Sequence, residues 1–287
     1  MADPLRIGQI SYLNVLPLFH HLRQMFPPGD GIEYVTGHPS DMNQGLAEGS
    51  IDLSPASSFE YLRDAERYRL LPNLSITASH GPVKSVLLVS PVPPDALPDW
   101  LAEHGPEVLV TTASASSVAL LKVLWAHAWA LPEAQWTDIE PGTGLERAAE
   151  FGPRPFLEIG NLALQYWLKP PEGWHIIDLA QAWREFTGLP FVFAVWIVRR
   201  GLSEGQKAML DDIQAALAHC KTTCVQAIAE IADFRDLSNW INRDGIEDYL
   251  STVGYDLGPD ELASLTLFAH HCTQLGLIPG APALEWA

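Results

Sequence analysis

The fold is decided by the stretch IGQISYLNVLPL, residues 7–18, where a short apolar strand gives way to polar side chains and then to a helix. Residues 6–10 are bounded by turn chemistry, which predicts a strand, and Pro17 suits the first turn of a helix. Ser11, Tyr12 and Asn14 therefore fall at the carboxyl end of a strand, where open α/β sheets bind ligands. Ser11 and Asn14 could equally cap the helix, and this segment leaves both interpretations open.

Four later segments repeat the pattern of an apolar run that ends in small polar residues. They are residues 52–61, 79–89, 108–121 and 156–163. The third predicts a strand followed by a hydroxyl-rich helix start, whose free N–H groups and positive dipole end suit a carboxylate or phosphate. Taken singly, each segment is better explained by helix capping. Five such strand ends together predict one anion-binding cleft.

A resemblance to a known enzyme family rests on motifs in these segments. The motifs are SYLN at 11–14, Ser57-Ser58 before Glu60-Tyr61, Gly81-Pro-Val83 with Ser85, TASAS at 112–116, Ile159-Gly160 and TGLPFVFA at 187–194. In this order, from about Leu5 to about Trp196, they resemble the chorismate dehydratases of the futalosine route to menaquinone. The resemblance implies an α/β fold with two lobes and an interlobe cleft, as in type II periplasmic solute-binding proteins, used for catalysis in the cytoplasm.

The same resemblance implies the reaction and the site. The reaction is the dehydration of chorismate to 3-[(1-carboxyvinyl)oxy]benzoate, driven by aromatisation, with no cofactor and no metal. Asn14 and Ser85 are expected to be catalytic, and the expected base is the enolpyruvyl carboxylate of the substrate, with His80 as the alternative. The expected substrate-binding residues are Ser11, Tyr12, Ser57, Ser58, Gly81, Thr112, Ser114, Ala115, Ser116, Gly160, Asn161 and Phe191. Asn161 stands where many relatives are expected to have an acidic residue.

Composition restricts the classes of function. A chain of 287 residues with 47% hydrophobic and 18% charged residues is globular, and it is long enough for one large or two modest lobes. The net charge of -18 argues against nucleic acid and anionic membrane surfaces as partners. Residues 1–6 lack a basic and apolar signal pattern, and no apolar run approaches the roughly 20 residues of a membrane span. The sequence thus predicts a cytoplasmic protein with a small-molecule substrate, and it leaves the oligomeric state open.

The order of predicted elements indicates two interleaved α/β units. In the first unit, strands are predicted at 5–10, 51–55 and 84–90, with helices at 15–25, 39–48 and 57–66. In the second, strands are predicted at 107–111, 135–139 and 156–159, with helices at 115–129, 143–150 and 161–168. Crossings are predicted at 91–96, which is rich in proline, and at 186–192. Residues 1–92 and 191–287 would then form lobe one, and 93–190 lobe two.

Other functions stay open at this stage. A non-catalytic solute-binding protein would use the same cleft, and a sister enzyme acting on a futalosine-derived nucleoside would share the pathway. A zinc site built from Cys220, Cys224 and nearby histidines is disfavoured, because no Cys-x-x-Cys pair or histidine spacing supports it.

Overall fold

A computed structural model describes residues 3–29, 31–79, 81–231 and 240–287. The strands are β1 (Leu5–Ile10), β2 (Ile32–Gly37), β3 (Leu53–Ser57), β4 (Tyr68–Ala78), β5 (Val86–Ser90), β6 (Glu107–Thr111), β7 (Gln135–Ile139), β8 (Phe156–Ile159), β9 (His175–Asp178), β10 (Phe191–Arg199) and β11 (Val253–Gly254). The helices are α1 (Leu16–Met25), α2 (Pro39–Glu48), α3 (Ser58–Arg63), α4 (Leu97–His104), α5 (Ala115–Val123), α6 (Gly144–Phe151), α7 (Gly160–Leu168), α8 (Leu179–Thr187), α9 (Glu204–Thr222), α10 (Cys224–Ile231), α11 (Arg243–Leu250) and α12 (Pro259–Gln274).

The strands form two sheets, which gives the molecule two lobes. The first sheet has the order β11-β4-β10-β3-β1-β2, and the second has the order β7-β6-β8-β5-β9. In the first, β1 lies parallel to β2 and β3, while β10 runs antiparallel between β3 and β4. In the second, β6 lies parallel to β7 and β8, while β5 runs antiparallel to β8 and β9. The predicted two-lobed α/β class is confirmed.

One predicted strand belongs to the other lobe. The run at 84–90 becomes β5, which pairs with β8 and β9 in the second sheet. The chain therefore crosses between Ala78 and Val86, and the predicted first crossing at 91–96 is wrong. A fully apolar strand such as β5 fits the centre of either sheet, so its composition carries no information about which sheet it joins. The second crossing lies between α8 and β10, inside the predicted range 186–192.

Four strands, β2, β4, β9 and β11, were missed, and β11 has only two residues. The edge strand β2 alternates irregularly between buried and exposed residues, and β9 has only four residues. The long strand β4 contains Pro72 and Asn73, and Asn73 has a φ of 59°. Proline and a left-handed residue are typical of turns, so the middle of β4 does not look like a strand in sequence.

A buried carboxylate ties the first sheet together. Asp52, directly before β3, is fully buried and accepts hydrogen bonds from the backbone N–H and the guanidinium of Arg6 on β1. Arg199 on β10 donates to Oδ1 of the same carboxylate at 2.6 Å. Two guanidinium partners and a backbone donor offset the cost of removing this charge from water. The arrangement fixes β1 and β10 relative to β3, and β1 carries the polar SYLN segment into the cleft.

Within the described residues, none of the helices combines the length and the apolar character that crossing a membrane requires.

Candidate active site

A cleft lies between the two lobes where strands of both sheets end. Its cavity volume is about 50 Å³, and the space rises to about 540 Å³ when the opening to solvent is counted. Its lining residues are Ile10, Tyr12, Asn14, Pro39, Ser57, Ile76, Val83, Ser85, Val86, Ser114, Ser117, Ile159, Gly160, Phe193 and Ala194. These described lining residues include no charged side chain and no imidazole, carboxylate or thiol that could hold a metal ion. The cleft is therefore built to bind through neutral donors and apolar contact.

Asn14 has an unused polar atom in this cleft. It lies in the short helical turn between β1 and α1, and its Oδ1 is buried with no hydrogen-bond partner among the described residues. Its backbone carbonyl accepts a hydrogen bond of 2.7 Å from the Tyr255 hydroxyl, which holds the segment in place. A buried amide without a partner is costly in the unliganded state, and a half-turn of the amide presents either a donor or an acceptor. Asn14 is thus the side chain most directly prepared for a ligand.

Ser85 also has hydrogen-bonding capacity to spare. It lies just before β5, and its Oγ accepts a hydrogen bond of 2.9 Å from the buried Tyr249 hydroxyl. Its own proton has only a long contact of 3.4 Å to the Val83 carbonyl. Burial raises the pKa of Tyr249, so the phenol remains a protonated donor. The Tyr249 contact leaves the Ser85 O–H free to donate into the cleft.

The segment before Ser85 is held in a strained conformation. Lys84 has a φ of 65°, which side-chain-bearing residues rarely adopt. Its backbone N–H donates to Asp178 at 2.7 Å, and its Nζ pairs with Asp248 on α11 at 2.7 Å. Helix α11 therefore fixes this crossing twice, through Asp248 to Lys84 and through Tyr249 to Ser85. Strain held by surrounding contacts is typical of positions that orient functional groups.

The start of α5 supplies further donors. Ser114 is the N-cap of this helix, and its Oγ accepts from the backbone N–H of Ser117 at 3.3 Å. Both residues line the cleft, so the positive end of the α5 dipole faces it. Such a helix end favours a carboxylate even where no cationic side chain is present.

A group of buried hydroxyls joins the lobes beside the cleft. Ser116 on α5 lies 2.7 Å from Ser57 and 3.0 Å from Ser58, hydroxyl to hydroxyl. The Phe59 N–H donates to the same Ser116 oxygen at 3.1 Å. Ser58 also donates to the Val192 carbonyl at 2.7 Å. Of these three serines only Ser57 lines the cleft, so the structure places Ser58 and Ser116 in the interlobe contact behind it.

A second interlobe contact lies at Tyr12. The ring of Tyr12 packs on Gly160, where an added Cβ would meet a ring carbon at 2.7 Å. Gly160 also has a φ of 67°, so both the close approach and the backbone require glycine. Asn161 accepts a hydrogen bond of 3.2 Å from the Leu13 N–H. The structure thus places Asn161 in the contact that joins the lobes, outside the lining of the cleft.

The remaining predicted site residues lie around the cleft. Ser11 is exposed, and its N–H donates to the Gly37 carbonyl. Gly81 lies in the first crossing, and Thr112 and Ala115 line a neighbouring groove next to α2 and α3. Phe191 packs in the core against Trp183 and Phe268, with ring centroids 5.4 and 5.0 Å away. The structure brings none of these to the cleft wall, and His80 lies outside the described residues.

Several residues of the site were not anticipated from the sequence. Phe193 lines the cleft two residues after Phe191, beside a register shift in β10. Tyr249 and Tyr255 come from the C-terminal part, where the motifs give no guidance. A hydrophobic core explains isolated tyrosines equally well, so only the fold could link them to Ser85 and Asn14.

Glu158 is a further acidic group that the motifs did not single out. It is buried on β8 next to the Tyr12 contact, and burial raises the pKa of its carboxyl to about 7, while its bond to the Ile159 N–H partly offsets this. An unfolded glutamate has a pKa of about 4.3, so the folded state holds a proton that the unfolded state has lost between these values. The stabilising contribution of Glu158 to the free energy of unfolding is therefore complete below about pH 4.3. It is lost as the pH rises to about 7.

Glu158→Gln should therefore raise the free energy of unfolding at pH 8 by on the order of 1–3 kcal/mol and have little effect near pH 4. Urea unfolding at both pH values checks this, with the exposed Glu150→Gln on α6 as the matched control. An equal difference in unfolding free energy between wild type and Glu158→Gln at the two pH values would show that folding does not raise the pKa of Glu158.

The cysteines do not support the zinc alternative considered from the sequence. Cys220, Cys224 and Cys272 are free and buried. Burial raises the pKa of each of the three thiols, which disfavours thiolate ligation. Among the described residues, no group of metal-ligating atoms includes a cysteine.

Comparison with known proteins identifies the family. The chain matches the menaquinone biosynthesis family over residues 5–274. It belongs to the menaquinone biosynthesis family. A chorismate dehydratase of Thermus thermophilus is 32% identical to this family member over 293 residues, which covers 97% of this chain and 97% of the relative. The predicted recognition of this family is confirmed.

Solved structures share the fold of this menaquinone biosynthesis family member at low identity. A protein from Archaeoglobus fulgidus has a TM-score of 0.72 and 16% identity, over 95% of this chain and 98% of that one. The periplasmic aliphatic sulphonate-binding protein of Escherichia coli has a TM-score of 0.63 and 16% identity, over 100% and 94%. At such identities the likeness shows the periplasmic-binding-protein-like fold alone.

Proposed function

We propose that this chain is a lyase that dehydrates chorismate to 3-[(1-carboxyvinyl)oxy]benzoate, as a cytoplasmic enzyme of the futalosine route to menaquinone. The observation that carries the proposal is the 32% identity with the Thermus chorismate dehydratase over almost the whole of both chains. The family match over residues 5–274 supports the pathway. The cleft supports the reaction because its lining offers neutral hydrogen-bond donors to a small anionic ring.

The chemistry needs only proton transfer and loss of water. The hydrogen on C3 of chorismate is acidified by the ring carboxylate through the C1=C2 bond. Its removal leaves a dienolate, and the electron pair then expels the C4 hydroxyl, which departs with a proton as water. The product ring is aromatic, and no redox change occurs. A site for this reaction must hold the substrate in one conformation and stabilise charge on the ring carboxylate as it develops.

The described residues fit these tasks. Asn14 and Ser85 present polar atoms to the cleft, and the α5 helix start favours a carboxylate. No described side chain of the lining can act as a base near neutral pH, which supports the enolpyruvyl carboxylate of the substrate in that role. A positioned substrate carboxylate acts at high effective concentration. His80 stays the alternative base.

Conversion of chorismate by the purified protein tests this function. Protein treated with chelator and free of nucleotide should convert chorismate to the enolpyruvyl benzoate product, as followed by chromatography. Retention of unaltered chorismate on the protein would instead identify a solute-binding protein. Inactivity towards chorismate together with turnover of a futalosine-derived nucleoside would identify the sister enzyme. Loss of conversion on chelation, restored by zinc, would contradict a cofactor-free mechanism.

Tyr249→Phe should lower kcat/KM for chorismate by roughly 2–12-fold, the value of one hydrogen bond of ordinary strength. The variant keeps the ring in the core and removes only the donor to Ser85. The change should be absent in a Ser85→Ala background, because the hydroxyl that Tyr249 orients is then missing. Equal losses in both backgrounds would mean that Tyr249 acts through packing.

A further inference from the structure

Two histidines and a glutamate meet on the surface of the first lobe, away from the cleft. His20 and His21 are consecutive residues of α1, and Glu230 lies on α10, which packs against α1. His20 Nε2 lies 2.7 Å and His21 Nε2 3.8 Å from the same Glu230 oxygen. All three ligand atoms lie within 4.8 Å of one another. None of these residues lines the cleft.

The ring of His21 is held by a neighbouring hydroxyl. The hydroxyl of Thr223 donates to the backbone carbonyls of His219 and Cys220, at 3.2 and 3.3 Å. Its oxygen can also accept, and His21 Nδ1 lies 2.9 Å from it. The tautomer of His21 that donates from Nδ1 to Thr223 leaves Nε2 available as a metal ligand. This is the arrangement by which a second hydrogen bond prepares a histidine to bind a metal.

The other two groups have matching chemistry. Without a cation, the contact between His20 Nε2 and Glu230 requires a shared proton, and a metal ion can replace that proton. The side chains of His20 and His21 are 17% and 14% exposed, whereas that of Glu230 is 42% exposed. The imidazoles are thus packed in place while solvent still reaches the group.

We infer that His20, His21 and Glu230 form a binding site for a divalent first-row transition metal ion, with Zn²⁺ as the best match. Two imidazole nitrogens and one carboxylate oxygen are a ligand set that Zn²⁺ accepts, with bonds of about 2.0–2.2 Å and a fourth position for water. Tetrahedral ligands at such bond lengths lie roughly 3.3–3.6 Å apart, so the 2.7 Å contact must open and contacts of up to 4.8 Å must close by up to about 1.5 Å. The bound ion would link α1 to α10. The overall charge of -18 attracts cations at long range.

Titration of the full-length protein with Zn²⁺ or Co²⁺ alone, after chelator treatment, tests the site. Wild type should bind one equivalent, with the visible absorption of four-coordinate Co²⁺ and without the near-ultraviolet bands of thiolate ligation. His21→Asn and Glu230→Gln should weaken binding at least tenfold, and Thr223→Val by about tenfold through the lost orientation of His21. His219→Asn removes a nearby exposed histidine and should leave binding unchanged.

Thermal unfolding gives a second readout that does not depend on enzyme activity. Zn²⁺ at a hundredfold excess over its Kd should raise the Tm of wild type by about 3 °C or more and leave that of His21→Asn unchanged. Circular dichroism of the metal-free variants checks that they are folded. Equal binding by wild type, His21→Asn and Glu230→Gln, or no binding at millimolar Zn²⁺, would overturn the assignment. Turnover of chorismate should not follow occupancy, so this inference and the proposed function fail independently.

Discussion

Asn14→Ala should lower kcat for chorismate by on the order of 10²–10³, with thermal stability close to that of wild type. The buried Oδ1 makes no protein hydrogen bond among the described residues, so its removal takes no such stabilising contact from the unliganded fold. The loss should fall on kcat, because the amide is placed to strengthen its contact as charge develops on the substrate. Steady-state kinetics and thermal unfolding on the same preparation measure both quantities.

The two interpretations of Asn14 make opposite forecasts. A residue that only caps the helix would lower Tm on substitution, by the equivalent of about 0.5–2 kcal/mol, and leave turnover per folded molecule intact. Ser203→Ala supplies the control, since Ser203 caps α9, away from the cleft, by accepting from the Gln206 N–H at 3.3 Å. A lower Tm with unchanged turnover for Asn14→Ala would show that Asn14 is a helix cap and not a catalytic residue.

Ser85→Ala should lower kcat/KM by on the order of 10², shared between a lower kcat and a higher KM. The Ser85 oxygen accepts a hydrogen bond from Tyr249, and its proton is free to donate to the substrate. We therefore expect it to contact the substrate both before and during the reaction. The matched control is Ser90→Ala at the far end of the same strand, where the hydroxyl donates to the Val92 carbonyl at 2.7 Å. Ser90→Ala should change stability alone. Similar activities for the two variants would show that Ser85 is a structural residue.

Local patterns predict much of this fold because they depend on neighbouring residues. The strand at 5–10 and the helix after Pro17 follow from apolar runs and turn residues, and both are confirmed. The assignment of β5 to a sheet depends on which distant strands it pairs with, and an apolar run fits either sheet. The first lobe boundary was therefore misplaced, although the strand itself was found.

The predicted site shows the same division between local and distant information. Tyr12, Asn14, Ser57, Ser85, Ser114 and Gly160 line the cleft, as expected from strand ends and the family motifs. Ser58 and Ser116 carry the same hydroxyl, yet they face each other across the lobe contact. Tyr249 lies 164 residues from Ser85 in sequence, and its hydrogen bond depends entirely on how α11 packs. Sequence patterns identify candidate donors, whereas only packing decides which donors remain free.

Dehydration of chorismate by this protein is tested most directly by proton NMR with protein in excess over chorismate. The ring signals of chorismate should give way to those of a 1,3-disubstituted benzoate while the enolpyruvyl methylene signals persist. This conversion should be fast with wild type and slowed on the order of 10² or more with Asn14→Ala. Bound chorismate that keeps its diene ring over the same time with wild-type protein would contradict it.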